Sequence, residues 1–221
     1  MKIIFENEFI VAIDKAAQVL SVPSRMGNED ARPCAGLLLQ KQLGIQIYPC
    51  HRLDYEVSGL LVFAKNPKAH RELNQIFENH QLEKTYQAFS PYPEDFQQSS
   101  EKKIWKSRIF KGKKRSFESP HGKDSLTHAW SFPVEDDSSI LEWVLQPQTG
   151  RSHQLRFEMY KHGHPILGDK LYNSDREWNY PGIALRSISI QLHQPLFGFQ
   201  KLSVSKISLF SKEDKKMNPG F

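Results

Sequence analysis

The sequence predicts a single α+β domain over residues 1–221. Three observations carry that expectation. Short apolar runs of strand character dominate the chain. Helical patterns are interspersed among them without a regular strand–helix–strand alternation, which argues against a parallel α/β fold. No repeat, low-complexity tract or linker divides the 221 residues, a length suited to one medium-sized domain.

The elements follow in order. Ile3 to Phe5 and Phe9 to Ile13 are apolar runs split by Glu6-Asn7-Glu8, the pattern of a β-hairpin. Residues 21–36 are rich in proline, glycine and charge and read as a loop, and Leu37 to Leu43 reads as a short helix. Gly59 to Lys65 is a continuous apolar run, hence a buried strand. Asn66-Pro67 then opens a helix, with Asn66 as N-cap and Pro67 at the first helical position. Ala69, Leu73, Ile76, Phe77 and His80 continue it at helical spacing. Lys84 to Phe89 is the next strand, with Lys84, Tyr86 and Ala88 on one face. A proline-containing connection, Pro91 to Gln98, leads to a basic segment. Strands are expected at Ser125 to Phe132 and Ile140 to Leu145, and a helix from about Arg151 to His162, stopped by Gly163. Two β-rich runs, Ile183 to His193 and Lys201 to Phe210, are joined at Pro195 to Gly198. The charged tail, Lys212 to Phe221, carries no pattern and is expected to fray.

The net charge is +5, which leans toward a polyanionic partner. Its distribution says more. Lys102, Lys103, Lys106, Arg108, Lys111, Lys113, Lys114 and Arg115 fall together with no acidic residue among them, interleaved with Trp105, Phe110 and Phe117. Basic side chains neutralise phosphates and aromatic rings stack on bases, so this stretch is the candidate nucleic-acid contact, above all at Lys111, Lys113, Lys114 and Arg115. The plainer alternative is a solvated basic loop. Cys34 and Cys50 are the only cysteines, without a CxxC pair, which fits reduced thiols and a cytoplasmic setting. The N-terminus lacks the apolar stretch of a signal peptide. No segment approaches the ~18 uninterrupted apolar residues of a membrane span.

His51-Arg52-Leu53-Asp54 places a carboxylate beside two basic side chains at the mouth of the buried strand. Such a carboxylate is costly unless it is paired or used. On spacing alone the plain reading is a structural ion pair, and the alternative is nucleophilic or electrostatic work at an electron-poor carbon. His153, His162 and His164 have the look of a metal cluster by spacing. Gly163 ends the helix between the last two, however, so solvent or core roles are expected and no metal is assigned.

Four blocks of residues, in order, resemble the RluA-type pseudouridine synthases. The first is Ile10-Val11-Ala12-Ile13-Asp14-Lys15 with Leu20-Ser21-Val22-Pro23-Ser24-Arg25. The second is His51-Arg52-Leu53-Asp54 with Ser58-Gly59 and Phe63-Ala64-Lys65, and the third is Lys84-Thr85-Tyr86-Gln87-Ala88. The last runs from Thr149 through Gly150-Arg151-Ser152-His153-Gln154-Leu155-Arg156 to Gly163-His164-Pro165-Ile166-Leu167-Gly168-Asp169. The resemblance implies that family's fold, a mixed, mainly antiparallel sheet flanked by helices and loops, without an extra N-terminal RNA-binding module. It implies isomerisation of uridine to pseudouridine in tRNA or ribosomal RNA, with no cofactor, no membrane and no obligate protein partner.

By the same resemblance Asp54 matches the catalytic aspartate and Arg151 the arginine that pairs with it. Tyr86 matches the tyrosine that packs on the base and helps to remove its carbon-5 proton. Arg52 matches the arginine that displaces the base, and Arg156 is placed among the RNA contacts. Leu185 lines the pocket, and His51 supports it or touches RNA. Asp54 either attacks the anomeric carbon or removes a ribose proton, and the sequence leaves both routes open. The base must leave its stack, at about a few kcal/mol. Three positions depart from the family pattern: Val57, Glu158 and Arg186-Ser187 stand where threonine, histidine and His-Ala are usual. They motivate a competing reading, a non-catalytic RNA-binding or RNA-chaperone module on the same scaffold. A third reading is a hydrolase that uses Asp54 with a nearby histidine.

Overall fold

The apolar run after Asp54 forms strand β4 (Ser58–Ala64), and it sits inside the sheet rather than at an edge. All but its first residue are buried, because both of its faces are covered. In this computed structural model, which describes residues 1–93, 101–135 and 137–208, β4 pairs antiparallel with β2 (Ile10–Lys15). On its other side it pairs parallel with β10 (Leu185–Leu196). The hairpin of β1 (Lys2–Glu6) and β2 forms as expected.

The remaining strands are β3 (Tyr48–Pro49), β5 (Leu82–Pro91), β6 (Lys103–Lys111), β7 (Ser116–Glu118), β8 (Lys123–Val134), β9 (Asp137–Pro147) and β11 (Phe199–Ser203). They join one eleven-stranded sheet in the order β1-β2-β4-β10-β5-β9-β8-β6-β7, with β3 on β4 and β11 on β10. The β4–β10 pair is parallel and the other pairs among the described residues are antiparallel. The expected mixed, mainly antiparallel sheet is therefore present.

Two apolar layers hold the helices to the sheet. On one face, Val11, Ile13, Leu61 and Phe63 pack with Leu39 of α1 (Ala35–Leu43) and with Leu155 and Met159 of α3 (Gln154–Lys161). On the other, Ile10, Ala12, Leu60, Val62 and Ala64 pack with Ala69 and Leu73 of α2 (Pro67–Glu78) and with Phe199 and Leu202. Alternation along β2 and β4 thus feeds both layers at once. The Asn66 side chain caps α2 by accepting from Ala69 N at 2.9 Å, as the sequence predicts. No helix among the described residues is long and apolar enough to cross a membrane.

Three expectations change. The basic stretch is not a loop over most of its length but strand β6. Its odd-numbered positions Trp105, Ser107 and Ile109 point inward, and Lys106 and Arg108 point outward, so a two-residue period was hidden under the charge. Trp105 is buried against Trp143, with ring centroids 5.4 Å apart, and does not face a ligand. Helix α3 begins at Gln154, three residues later than expected. The second β-rich run forms β11 at Phe199–Ser203, while its distal end and the tail at 212–221 lie outside the described residues.

The parallel crossing of β4 and β10 depends on Gly59. Its φ is +113°, and a Cβ built there would lie 2.1 Å from the Ser187 carbonyl oxygen and 2.7 Å from Ser187 N. A non-glycine residue in that backbone region costs about 1–3 kcal/mol, and forcing packed strands apart adds about 1–3 kcal/mol. Gly59→Ala should therefore lower the urea midpoint strongly. Gly163→Ala, at φ +80° with nothing within 4 Å of its Cβ, carries the backbone strain alone and should lower it less. Equal midpoints for the two variants would refute this account of the crossing.

Candidate active site

Asp54 lies in the turn between β3 and β4, and the chain around it is held from several directions. The buried Ser21 hydroxyl accepts from Leu53 N at 2.9 Å and donates to Leu53 O at 2.8 Å. Gln18 N donates to Tyr55 O, Val57 N to Asp54 O and Ile183 N to Glu56 O. With its backbone groups satisfied in this way, the turn has a defined shape. The Asp54 side chain remains partly open to a cavity of about 580 Å³. Arg52, Tyr86, Lys84, Arg151, Arg156 and Leu185 share that cavity's lining with Asp54.

The cation at Asp54 is Arg156. Its Nη1 lies 3.7 Å from Asp54 Oδ2 and 3.1 Å from Glu56 Oε2. Its other edge makes a two-pronged contact with Asp169, through Nε at 2.7 Å and Nη2 at 2.8 Å. Arg156 is 2 % exposed and Asp169 1 %. Burial works against the guanidinium's charge, and Asp169, Glu56 and Asp54 more than offset it, so its pKa is raised. Lys15 is a second cation near the same carboxylates, fully buried, with Nζ donating to the carbonyls of Ala16 and Val19 at 2.9 and 2.8 Å. Burial lowers its pKa to about 7 against the opposing pull of Asp54 and Glu56.

Two arginines thereby sit differently from expectation. Arg151, expected to pair with Asp54, instead donates from Nε to the Asp124 carbonyl at 2.8 Å. Arg156, expected among the RNA contacts, is buried and holds three carboxylates. The physical reason is the late start of α3. Gln154 folds the preceding turn by accepting from Thr149 Oγ1 at 2.8 Å and from Arg151 N at 3.0 Å, which leaves Arg151 outside the helix. Arg156, inside the first turn, points at the core. Its buried partner could have been sought in Asp169, thirteen residues on, but nothing local in the sequence ranks one arginine over the other.

Tyr86 and Leu185 line the cavity from neighbouring strands, β5 and β10. Burial pushes the Tyr86 phenol up to about 12, so it is neutral at physiological pH. His51 is a supporting residue: Nε2 accepts from Val62 N at 3.1 Å and the ring stacks on Phe77 at 4.9 Å. Burial, with a smaller contribution from Lys84, holds its pKa down at about 3, so it is neutral as well. Arg52 is exposed at the cavity wall. Lys111, Lys113, Lys114 and Arg115 are exposed at the β6–β7 turn. That turn adjoins the Arg151 segment, because Ser116 Oγ donates to Ser152 O at 2.7 Å.

The three histidines with metal-like spacing face separate partners. His153 meets the Tyr172 hydroxyl, His162 stacks on Trp105 at 4.7 Å, and His164 lies tilted against Trp143 with ring centroids 4.5 Å apart. Two of the residues that depart from the family pattern, Glu158 and Arg186, have local partners. Glu158 is fully buried and accepts from the hydroxyls of Ser107 at 3.2 Å and Ser125 at 2.8 Å. Arg186 points away from the cavity residue Leu185, to Asp14 at 2.8 and 2.7 Å, and also donates to Ser58 Oγ and Ser205 O.

Comparison with known proteins gives a consistent answer. Residues 9–161 match the family model described as RNA pseudouridylate synthase. The chain is 30% identical over 203 residues to a dual-specificity RNA pseudouridine synthase RluA of Haemophilus influenzae, covering 90% of this chain and 89% of that one. It is 30% identical over 181 residues to tRNA pseudouridine synthase C of Vibrio cholerae, covering 76% and 72%. It is also 30% identical over 211 residues to ribosomal large subunit pseudouridine synthase D of Zymomonas mobilis, where it covers 90% of its own length and spans 64% of that protein. The solved structure of human RNA pseudouridylate synthase domain containing 1 superposes with a TM-score of 0.73 at 20% identity, over 96% of this chain and 85% of that one, and shares the fold.

The buried contact makes a stability prediction. Arg156→Met leaves the Asp169 carboxylate buried without its partner, a loss of about 3–5 kcal/mol. Adding Asp169→Asn should restore part of that loss. Arg151→Met, which removes one hydrogen bond to a carbonyl, should cost about 1 kcal/mol. Urea denaturation of the variants checks the order. A milder effect for Arg156→Met than for Arg151→Met would overturn it.

Proposed function

The chain belongs to the RNA pseudouridylate synthase family, and on that footing we propose that it isomerises particular uridines of tRNA or ribosomal RNA, with Asp54 acting at the ribose. The observation that carries the reading is the Asp54 carboxylate, open to the cavity on one side and held on the other by the buried Arg156. Either route at the ribose, attack on the anomeric carbon or removal of a ribose proton, needs a carboxylate in a fixed position, and the gripped turn with Arg156 supplies one.

Tyr86 supplies a flat wall for the base, and Leu185 closes the apolar side. A neutral phenol takes up a proton only by giving up its own. Tyr86 in this reading therefore packs against the ring, and its hydroxyl takes the carbon-5 proton as its own proton passes to water in the cavity. Arg52, exposed beside the cavity, is placed to fill the space that the flipped nucleotide leaves and to meet phosphate. The β6–β7 turn with Lys111, Lys113, Lys114 and Arg115 is the proposed grip on the RNA outside the cavity. The reaction consumes no outside group, so a site made of carboxylate, guanidinium and phenol is sufficient. A cytoplasmic location, where these RNAs and free cysteines such as Cys34 and Cys50 both occur, belongs to the same reading.

A non-catalytic RNA-binding module would have no use for a carboxylate so placed, and a hydrolase would change the mass of its RNA. Tritium release from carbon-5-labelled uridine RNA separates the three, since only isomerisation releases tritium and leaves an RNA of the original chain length. Asp54→Ala should lower that release by about 10²–10⁴-fold or more. Binding and fold should be kept, because Arg156 retains Asp169 and Glu56. Full activity in Asp54→Ala would sink the assignment.

Neutralising Lys111, Lys113, Lys114 and Arg115 should weaken RNA binding and flatten its salt dependence, with the slope falling by about 1 for each phosphate no longer neutralised. Unchanged affinity across a salt series would remove this turn from the interface.

A further inference from the structure

The cavity contains a cation that the roles above leave unused. Lys84 lies on β5 two residues before Tyr86, so both side chains leave the same face of the strand. Their separation along the strand is about 6.5–7 Å, comparable to the span of a pyrimidine with its carbonyl oxygens. The Lys84 ammonium is partly buried and makes one hydrogen bond among the described residues, a long one of 3.4 Å to the Thr149 carbonyl. No carboxylate pairs with it among the described residues.

Its cover is also missing. A Cβ at Gly150 would lie 3.9 Å from Lys84 Nζ, and Gly150 has no side chain to place there. Lys15 offers the contrast. It is buried as well, but two carbonyls hold it and Asp54 and Glu56 lie near. A half-buried ammonium without an anion, facing a cavity, is costly unless the anion arrives with the ligand.

We propose that Lys84 contacts the uracil ring and takes the negative charge that the ring acquires when its bond to ribose breaks. The inference rests on the isomerase reading above. In that reaction the C1′–N1 bond breaks and its electron pair leaves with the ring, spread over N1 and the two carbonyl oxygens. Carbon 5 then bonds to C1′, the carbon-5 proton is lost and N1 gains one, so no atom is gained or lost overall. Lys84 keeps its proton throughout and donates a hydrogen bond to a ring carbonyl. The charge it meets develops only as the bond breaks, so the contact lowers the barrier more than it tightens binding. A phosphodiester is the other anion in the substrate. Glu78, which lines the same cavity beside His80 at the end of α2, opposes a phosphate there, and Arg52 and the β6–β7 turn offer exposed cations for it.

The test is single-turnover tritium release at saturating enzyme, with RNA affinity measured in parallel. Lys84→Met should slow release by about 10²–10³-fold, the scale for removing one such donor, with Kd held. Lys84→Arg should recover part of the rate. Gly150→Ala, whose methyl fits at van der Waals distance over the ammonium, should slow release without removing the charge, and it serves if Lys84→Met fails to fold.

The pH profile adds a readout that a purely structural lysine would not move. Burial lowers the Lys84 pKa to about 8, so the ammonium is charged below that pH and lost above it. The wild-type rate should fall as pH rises through about 8, and Lys84→Arg should remove that fall. The other titratable and charged groups around the cavity are Cys50, His51, Arg52, Asp54, Glu78, His80, Tyr86, Arg151, His153 and Arg156, with Lys15 behind Asp54, and all are common to both proteins. A weaker Kd with an unchanged saturated rate would make Lys84 a phosphate contact and overturn the proposal. A wild-type rate in Lys84→Met or Gly150→Ala would do the same. No tritium release from the wild type would instead sink the isomerase reading itself.

Discussion

Three carboxylates converge on one buried guanidinium, and the fold and the site both depend on it. Arg156 faces Asp169 with two nitrogens and turns the third toward Glu56 and Asp54. The contact with Asp169 is almost fully dry, which makes each partner expensive to keep without the other. It ties α3 to the segment after Gly168, and through Glu56 and Asp54 it ties both to the turn before β4. The position of Asp54 is therefore a consequence of how α3 docks. A carboxylate whose orientation is set by a buried helix has less freedom to lose when substrate enters.

The docking of α3 has its own support. Glu158, two residues after Arg156, accepts from Ser107 on β6 and Ser125 on β8. A fully buried carboxylate is tolerable here because both of its oxygens have hydroxyl donors, with His162 Nε2 also 3.6 Å away. Lys161 reaches the same Ser107 hydroxyl at 2.9 Å and Glu118 on β7 at 2.7 Å. Strand β6, which carries the outward-facing lysines, is thus fastened to the helix that carries Arg156. Arg186 does comparable work on the far side of β10, where it joins β2, the start of β4 and Ser205. At two positions that depart from the family pattern, Glu158 and Arg186, the side chains thus fasten the scaffold.

Local signals in the sequence were legible where the physics is local. The hairpin at Ile3 to Ile13, the β4 run and the Asn66 cap all rest on neighbours within a few residues, and the structure matches them. The order of the four motif blocks likewise pointed to the family. What stayed hidden depends on partners distant in sequence. Arg151 and Arg156 are indistinguishable in composition, and only the Gln154-braced turn and the distant Asp169 separate their fates. The two-residue period of β6 was masked because lysine and arginine occupy the solvent face so densely. Trp105 looked available for stacking only because its burial comes from Trp143 and His162, residues far along the chain.

The same distinction bears on the charges of the cavity. A sequence shows that lysines and arginines are present, and only the fold shows which of them are already satisfied. Arg156 has its three carboxylates and Lys15 its two carbonyls, so neither has its charge free for a new anion. Arg52 is solvated at the wall, so an anion that met it there would face little desolvation. Lys84 alone of these is both partly desolvated and held by a single long contact. Desolvation raises the strength of any hydrogen bond it makes to a developing anion, and it does so at the side of the cavity where Tyr86 would hold the ring. The cations therefore divide by environment. Satisfied ones build the site, solvated ones stand at its rim, and the unsatisfied one faces the place where charge would appear and disappear in the proposed reaction.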